Sequence, residues 1–162
     1  MKAIFTRTGV KRYSVTVEGP GVATATMDPA PGYDAKMPHD MAHFIVENEL
    51  GLKGGVFGQL AAGGHAGTFR PIDEKRPGRK LRSGDRIAKE NRADASLSEL
   101  VVNLACRTWK KETELPDQIK GISKEDVQRI CQSFDEISRK WSTLAVGESI
   151  TLDWQPRNSA RR

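Results

Sequence analysis

Residues 38–47 read Pro-His-Asp-Met-Ala-His-Phe-Ile-Val-Glu, which sets two imidazoles four positions apart. On a helix, residues i and i+4 lie one above the other. In that register His39 and His43 can share one divalent metal ion such as zinc. Two carboxylates accompany them, and either Asp40 or Glu47 can act as proton acceptor for a metal-activated water. On the helical wheel His39, His43 and Glu47 fall within about 80° of one another, opposite Met41, Phe44, Ile45 and Leu52. Val46 and Leu50 flank the histidines, so the helix is expected to be covered on both sides. Glu47 is eight residues from His39, about 12 Å along the axis. It can orient His43, but it cannot easily share one ion with both histidines. The third ligand must come from elsewhere, and the remaining histidine is His65, in Gly63-Gly64-His65-Ala66-Gly67.

Over five residues the H-D-x-x-H spacing resembles the H-E-x-x-H helix of zinc proteases, with Asp40 where those enzymes carry their general base. Aspartate is one methylene shorter and reaches a metal-bound water less readily. A carboxylate near a helix start is also favoured by the helix dipole alone. The chemistry this pattern points to is metal-dependent hydrolysis.

The elements that must position these groups can be read from periodicity and punctuation. Ala3–Thr6, then Tyr13, Val15 and Val17 alternating with polar residues, then Ala23–Met27 predict N-terminal strands. The His-bearing helix is predicted from Pro38, taken as its first residue, to about Leu50, with Gly51 as its C-cap. A short helix, Val56 to Ala62, is expected inside a glycine-rich stretch that holds seven of the fifteen glycines. Leu97, Leu100, Val101, Leu104, Ala105 and Trp109 share one helical face, and Ser96 with Glu99 has the form of a capping box opening that helix. Pro116 ends it at the latest. Ser123 and Asp126 open a second long helix, striped by Val127, Ile130, Cys131, Phe134, Ile137, Trp141 and Leu144 and stopped by Gly147. Ile150, Leu152 and Trp154 alternate as a final strand that returns to the first ones. The expected fold is α+β in a single domain, residues 1–162. A small antiparallel sheet of N-terminal strands plus the C-terminal strand is packed by two long helices and the shorter His-bearing helix.

The net charge of +5 is concentrated. Residues 70–92 carry nine cations and four anions, leaving seventeen of each in the rest of the chain. Pro71, Pro77, Gly78 and Gly84 make this segment a basic loop. Arg76, Arg79, Lys80 and Arg82 are its candidate contacts to an anionic partner such as nucleic acid, through counterion release. No aromatic residue interleaves them, so base stacking has no platform there. A small basic tail, 156–162, follows the last strand. No stretch approaches the ~20 apolar residues of a membrane span. No apolar run follows Met1–Lys2, which sets the expectation of a non-secreted, cytoplasmic protein without a membrane partner. Two cysteines, Cys106 and Cys131, are too few for a disulfide scaffold.

The run Met27-Asp28-Pro29-Ala30-Pro31-Gly32-Tyr33-Asp34, continuing through Pro38-His39-Asp40 to Gly54-Gly55-Val56-Phe57-Gly58-Gln59-Leu60-Ala61, resembles a group of small bacterial proteins of uncharacterised activity. The likeness covers about the first 70 residues. It implies a bacterial, non-secreted origin and carries no function with it.

Overall fold

The computed structural model describes residues 1–72, 86, 89, 90, 92–116 and 118–157. Arg76, Arg79, Lys80 and Arg82, and tail residues 158–162, lie outside them.

The strands are β1 (Lys2–Gly9), β2 (Arg12–Glu18), β3 (Ala25–Met27), β4 (Arg70–Pro71), β5 (Gln118–Ile119), β6 (Ile122–Ser123) and β7 (Ser149–Asp153). Among the described residues, five form an antiparallel sheet in the order β4-β3-β2-β1-β7, and β5 pairs with β6 in a separate small hairpin. The alternation read from sequence sets the register. Phe5 faces Val15 on one side and Ile150 on the other, and Ala3 faces Val17 and Leu152. Val15 and Val17 in turn face Met27 and Ala25. Ala3, Phe5, Tyr13, Val15, Val17, Ala25 and Met27 are all buried. The opposite face carries hydroxyls, with Thr16 bonded to Thr26 and Thr6 to Ser149. The sheet therefore buries one face only, and the α+β architecture expected from sequence is observed, with the C-terminal strand added to the edge of β1.

Helices α1 (His39–Leu50), α2 (Val56–Ala61) and α4 (Lys124–Thr143) meet that face, and α3 (Arg92–Trp109) packs against α1 and α4. Helix α1 sits at the centre, packed against α2, α3 and α4. Phe44 meets Phe5 of the sheet and Phe57 of α2 edge-on, at centroid distances of 6.3 and 5.1 Å. Residues Met41 to Glu47 are buried without interruption. Cover on every side, not one apolar stripe, is what gives α1 its weak amphipathic pattern. Trp141 of α4 reaches the sheet at Tyr13 and donates its indole N–H to the Asp34 carbonyl.

Two helix starts differ from expectation. Pro38 is the N-cap of α1, extended at ψ 146°, so the first helical residue is His39. Helix α3 begins at Arg92, four residues before Ser96, which places Ser96 and Glu99 inside the helix and removes their capping box. Asp94 occupies the first turn of α3 instead. Its carboxylate accepts from the Lys53 and Gly54 N–H groups at 2.9 and 3.1 Å, tying α3 to the α1–α2 loop. A capping box does open α4, where Ser123 and Asp126 bond each other's backbone N–H groups. Gly51 closes α1 at φ 62°, the left-handed conformation expected of a C-cap.

The glycine-rich stretch is explained by one side chain. Glu47 is 0% exposed, and its carboxylate accepts from the N–H groups of Val56, Phe57 and Gly58 at 3.0, 2.8 and 3.2 Å. It caps the N-terminus of α2 from below, where free N–H groups and the helix dipole favour an anion. The approach leaves no room for side chains. A Cβ on Gly55 would stand 2.2 Å from the Glu47 carboxyl carbon, and one on Gly58 would stand 2.0 Å from the Leu52 carbonyl oxygen.

Two predictions follow from this packing. Gly55→Ala and Gly58→Ala each lower unfolding stability by about 2 kcal/mol or more through overpacking. Gly67→Ala, where a Cβ would meet nothing within 4 Å, changes it by less than about 0.5 kcal/mol. Urea titration of the three variants separates these outcomes. The second concerns the α3–α4 contact, where the Cys131 thiol bonds the Ala105 carbonyl. Burial, with smaller contributions from Cys106 and Asp135, pushes this thiol up to about 11. The folded state thus resists deprotonation, a stabilising effect complete below about pH 9 and lost as the pH rises through about 11. At pH 8.5, alkylation of Cys131 in the folded chain should run about 100-fold slower than in the urea-unfolded chain. Equal rates by peptide mass spectrometry would contradict the packing.

Candidate metal centre

His39 and His43 rise from the first turns of α1 toward α3. The loop before α1 sets their height, since the His39 N–H bonds the Gly32 carbonyl at 3.2 Å and Gly32, at φ +72°, packs against the His39 Cβ. The imidazoles meet edge to face with centroids 4.7 Å apart, and their Nε2 atoms approach to 3.1 Å. Glu99, on the exposed side of α3, brings an oxygen to 3.5 Å from His43 Nε2. One ligand atom from each of His39, His43 and Glu99 lies within 4.8 Å of the others, so this group could hold a metal ion. Two nitrogens bound to one tetrahedral zinc at ~2.0–2.1 Å lie about 3.3 Å apart. The imidazoles therefore already stand near ligand spacing.

The two histidines differ in environment. His39 is exposed, and His43 is 7% exposed. Burial lowers the His43 pKa; Glu99 opposes this, and His39 adds to it. The net effect favours a neutral ring, the form that ligates metal. Behind His43, its Nδ1 lies 2.9 Å from Ser98 Oγ, and Ser98 Oγ lies 3.0 Å from Glu47 Oε1. Burial raises the Glu47 carboxyl to about 7, against four hydrogen bonds that each favour the anion.

A cleft of about 380 Å³ opens in front of the pair, between residues 32–39 and α3. His39 and Glu99 stand at its wall, and Asn103, Cys106 and Arg107 continue that wall along α3 to Lys110 just past its end. An ion held at this point would face the cleft with coordination positions to spare.

The residues singled out by sequence fall in four places. His39 and His43 converge as expected. His65 does not join them: it is exposed in the turn after α2 and is absent from the ligating group, whose third member is Glu99. Asp40 is turned toward the sheet, where the buried Tyr13 hydroxyl bonds its carboxylate. Burial raises Asp40, opposed by the Tyr13 bond and by His39. Glu47 faces α2 and Ser98, with its Oε1 3.8 Å from His43 Nδ1, on the side of the ring away from the cleft. Neither carboxylate belongs to the group that converges on the two Nε2 atoms. Of the cationic segment, Arg70, Arg86, Lys89 and Arg92 are described and exposed; the four named anion contacts are not among the described residues. Sequence reasoning missed Glu99 and Ser98. Serine three places before glutamate reads as a helix start, and the three-residue spacing carries no mark of a ligand contributed 56 residues after His43.

Comparison with family models, curated proteins and solved structures finds no match to this chain.

Proposed function

We propose that this protein binds one divalent transition-metal ion through His39 Nε2, His43 Nε2 and a Glu99 carboxylate oxygen, and uses it as a hydrolytic centre. The observation that carries the reading is the convergence of these three groups beside an open cleft whose wall includes His39 and Glu99. Two imidazoles and one carboxylate suit zinc and its neighbours, whereas magnesium and calcium prefer all-oxygen shells. Three protein ligands leave at least one position for water or substrate, the arrangement of catalytic rather than structural zinc. Bound there, the ion would lower the pKa of its water and polarise a carbonyl or phosphoryl oxygen in the cleft. Asp40 is engaged by Tyr13 and Glu47 by the α2 N-terminus, so the proton of an activated water would pass to Glu99 or to solvent in the open cleft.

Zinc calorimetry on chelator-treated protein tests the binding step. One equivalent should bind to the wild type, His39→Ala and His43→Ala should abolish binding, and Glu99→Gln should weaken it. His65→Ala and Asp40→Asn should leave the stoichiometry at one. At zinc a hundredfold above Kd the fold gains about 2.7 kcal/mol, seen as a raised Tm. Indifference of the wild type to zinc and to EDTA would remove the proposal. The catalytic step has its own readout: zinc-loaded protein should hydrolyse 4-nitrophenyl esters or 4-nitrophenyl phosphates above the His43→Ala background. Stoichiometric zinc with no such turnover on either substrate class would reduce the site to a binding centre.

A further inference from the structure

Ser98 sits where α1 and α3 cross, 1% exposed, with Glu47 on one side and His43 on the other. Its hydroxyl carries a single hydrogen. Glu47 Oε2 already accepts from Phe57 and Gly58, and Oε1 from Val56, so the three backbone groups on this carboxyl group are all donors. A carboxylate surrounded in this way accepts only, and the Ser98 hydrogen goes to Oε1. The Ser98 oxygen is then left as acceptor toward His43 Nδ1 at 2.9 Å, and Nδ1 must bear the hydrogen. A neutral imidazole has one N–H, so Nε2 is bare.

We infer that Glu47 and Ser98 form a relay that locks His43 in the Nδ1–H tautomer and points the Nε2 lone pair at His39 and Glu99, making Ser98 a positioning residue of the metal centre. The role in a metal centre rests on the proposed function; the tautomer stands on the hydrogen bonds alone. The 3.1 Å contact between the two Nε2 atoms agrees with it. Two bare nitrogens would repel at that distance, so His39 supplies the hydrogen between them in the metal-free chain. A bound ion would take the place of that hydrogen, with the exposed His39 releasing its Nε2 proton to solvent and taking one up on Nδ1, and would find His43 already turned and already in the ligating form. Outer partners of this kind raise the basicity of a metal-binding imidazole and fix its orientation.

Nitrogen-15 NMR of the imidazoles in the full, EDTA-treated chain at pH 8 tests the relay without any substitution. His43 should show a protonated Nδ1 and a bare Nε2; a protonated Nε2 overturns the inference. Ser98→Ala should release His43 toward the Nε2–H form and weaken zinc binding about 10- to 100-fold, while Ser98→Thr, which keeps the hydroxyl, should retain the tautomer. If folded Ser98→Ala keeps both the wild-type tautomer and the wild-type zinc affinity, Ser98 is structural only and the inference fails. The two readings fail separately. A wild type that takes no zinc but holds His43 as Nδ1–H removes the metal centre and leaves the relay. Zinc binding with His43 protonated on Nε2 before loading does the reverse.

Discussion

A carboxylate with no access to solvent organises the middle of this protein. Glu47 is where α1, α2 and α3 meet: it lies on the first, caps the second and accepts from Ser98 on the third. Burying an anion is costly unless donors surround it, and here the donors are three backbone N–H groups and a hydroxyl. That requirement propagates outward. It demands a helix start facing α1, which demands that the chain turn back within a few residues of Leu50, which in turn demands residues without Cβ at positions 55 and 58. Asp94 repeats the device from the other side by holding the Lys53 and Gly54 N–H groups. Two buried or nearly buried carboxylates thus pin one short loop, and the loop fixes the separation of α1 and α3. The distance between His43 and Glu99 depends on that separation.

Much of the fold was legible because its signals are local. Alternation in residues 3–6 and 13–17 chose the buried face of the sheet, and the same alternation at Ile150 and Leu152 sent the last strand back to β1. Gly51, Ser123 and Asp126 mark helix ends by chemistry that acts within four residues. The site was legible only in part, because half of it is non-local. The i, i+4 geometry of His39 and His43 is a property of one helix and survives folding unchanged. Glu99 becomes a neighbour only once α3 crosses α1, and nothing in the order of residues 92–99 announces that crossing.

Glu47 shows how little a helical wheel says about a side chain's neighbours. On an isolated helical wheel it shares a side with His39 and His43, and a catalytic role for it is reasonable chemistry. The wheel does not tell which neighbouring element fills the space beside each residue. The glycines at 54, 55 and 58 held that information, since close backbone approach needs something to approach. A carboxylate eight residues after one histidine and just before a glycine-rich turn reads equally well as a cap. His65 was displaced for a related reason: flexible flanking glycines permit an approach to α1 but do not compel one.

The enclosure of α1 on all sides also bears on how such a protein can diversify. From Met41 to Glu47 every residue is buried, and together they pack against the sheet, α2, α3 and α4, so a change there disturbs those neighbours. The facing wall is under no such restraint. Asn103 and Arg107 are exposed on α3 and border the cleft, where side chains can be exchanged without repacking anything beneath them. The fold thus sets His43 and its support in the core and the far wall of the cleft on the surface. A lineage carrying this fold could therefore alter what the cleft accepts at Asn103 and Arg107 alone, leaving the two imidazoles, Ser98 and Glu99 in place.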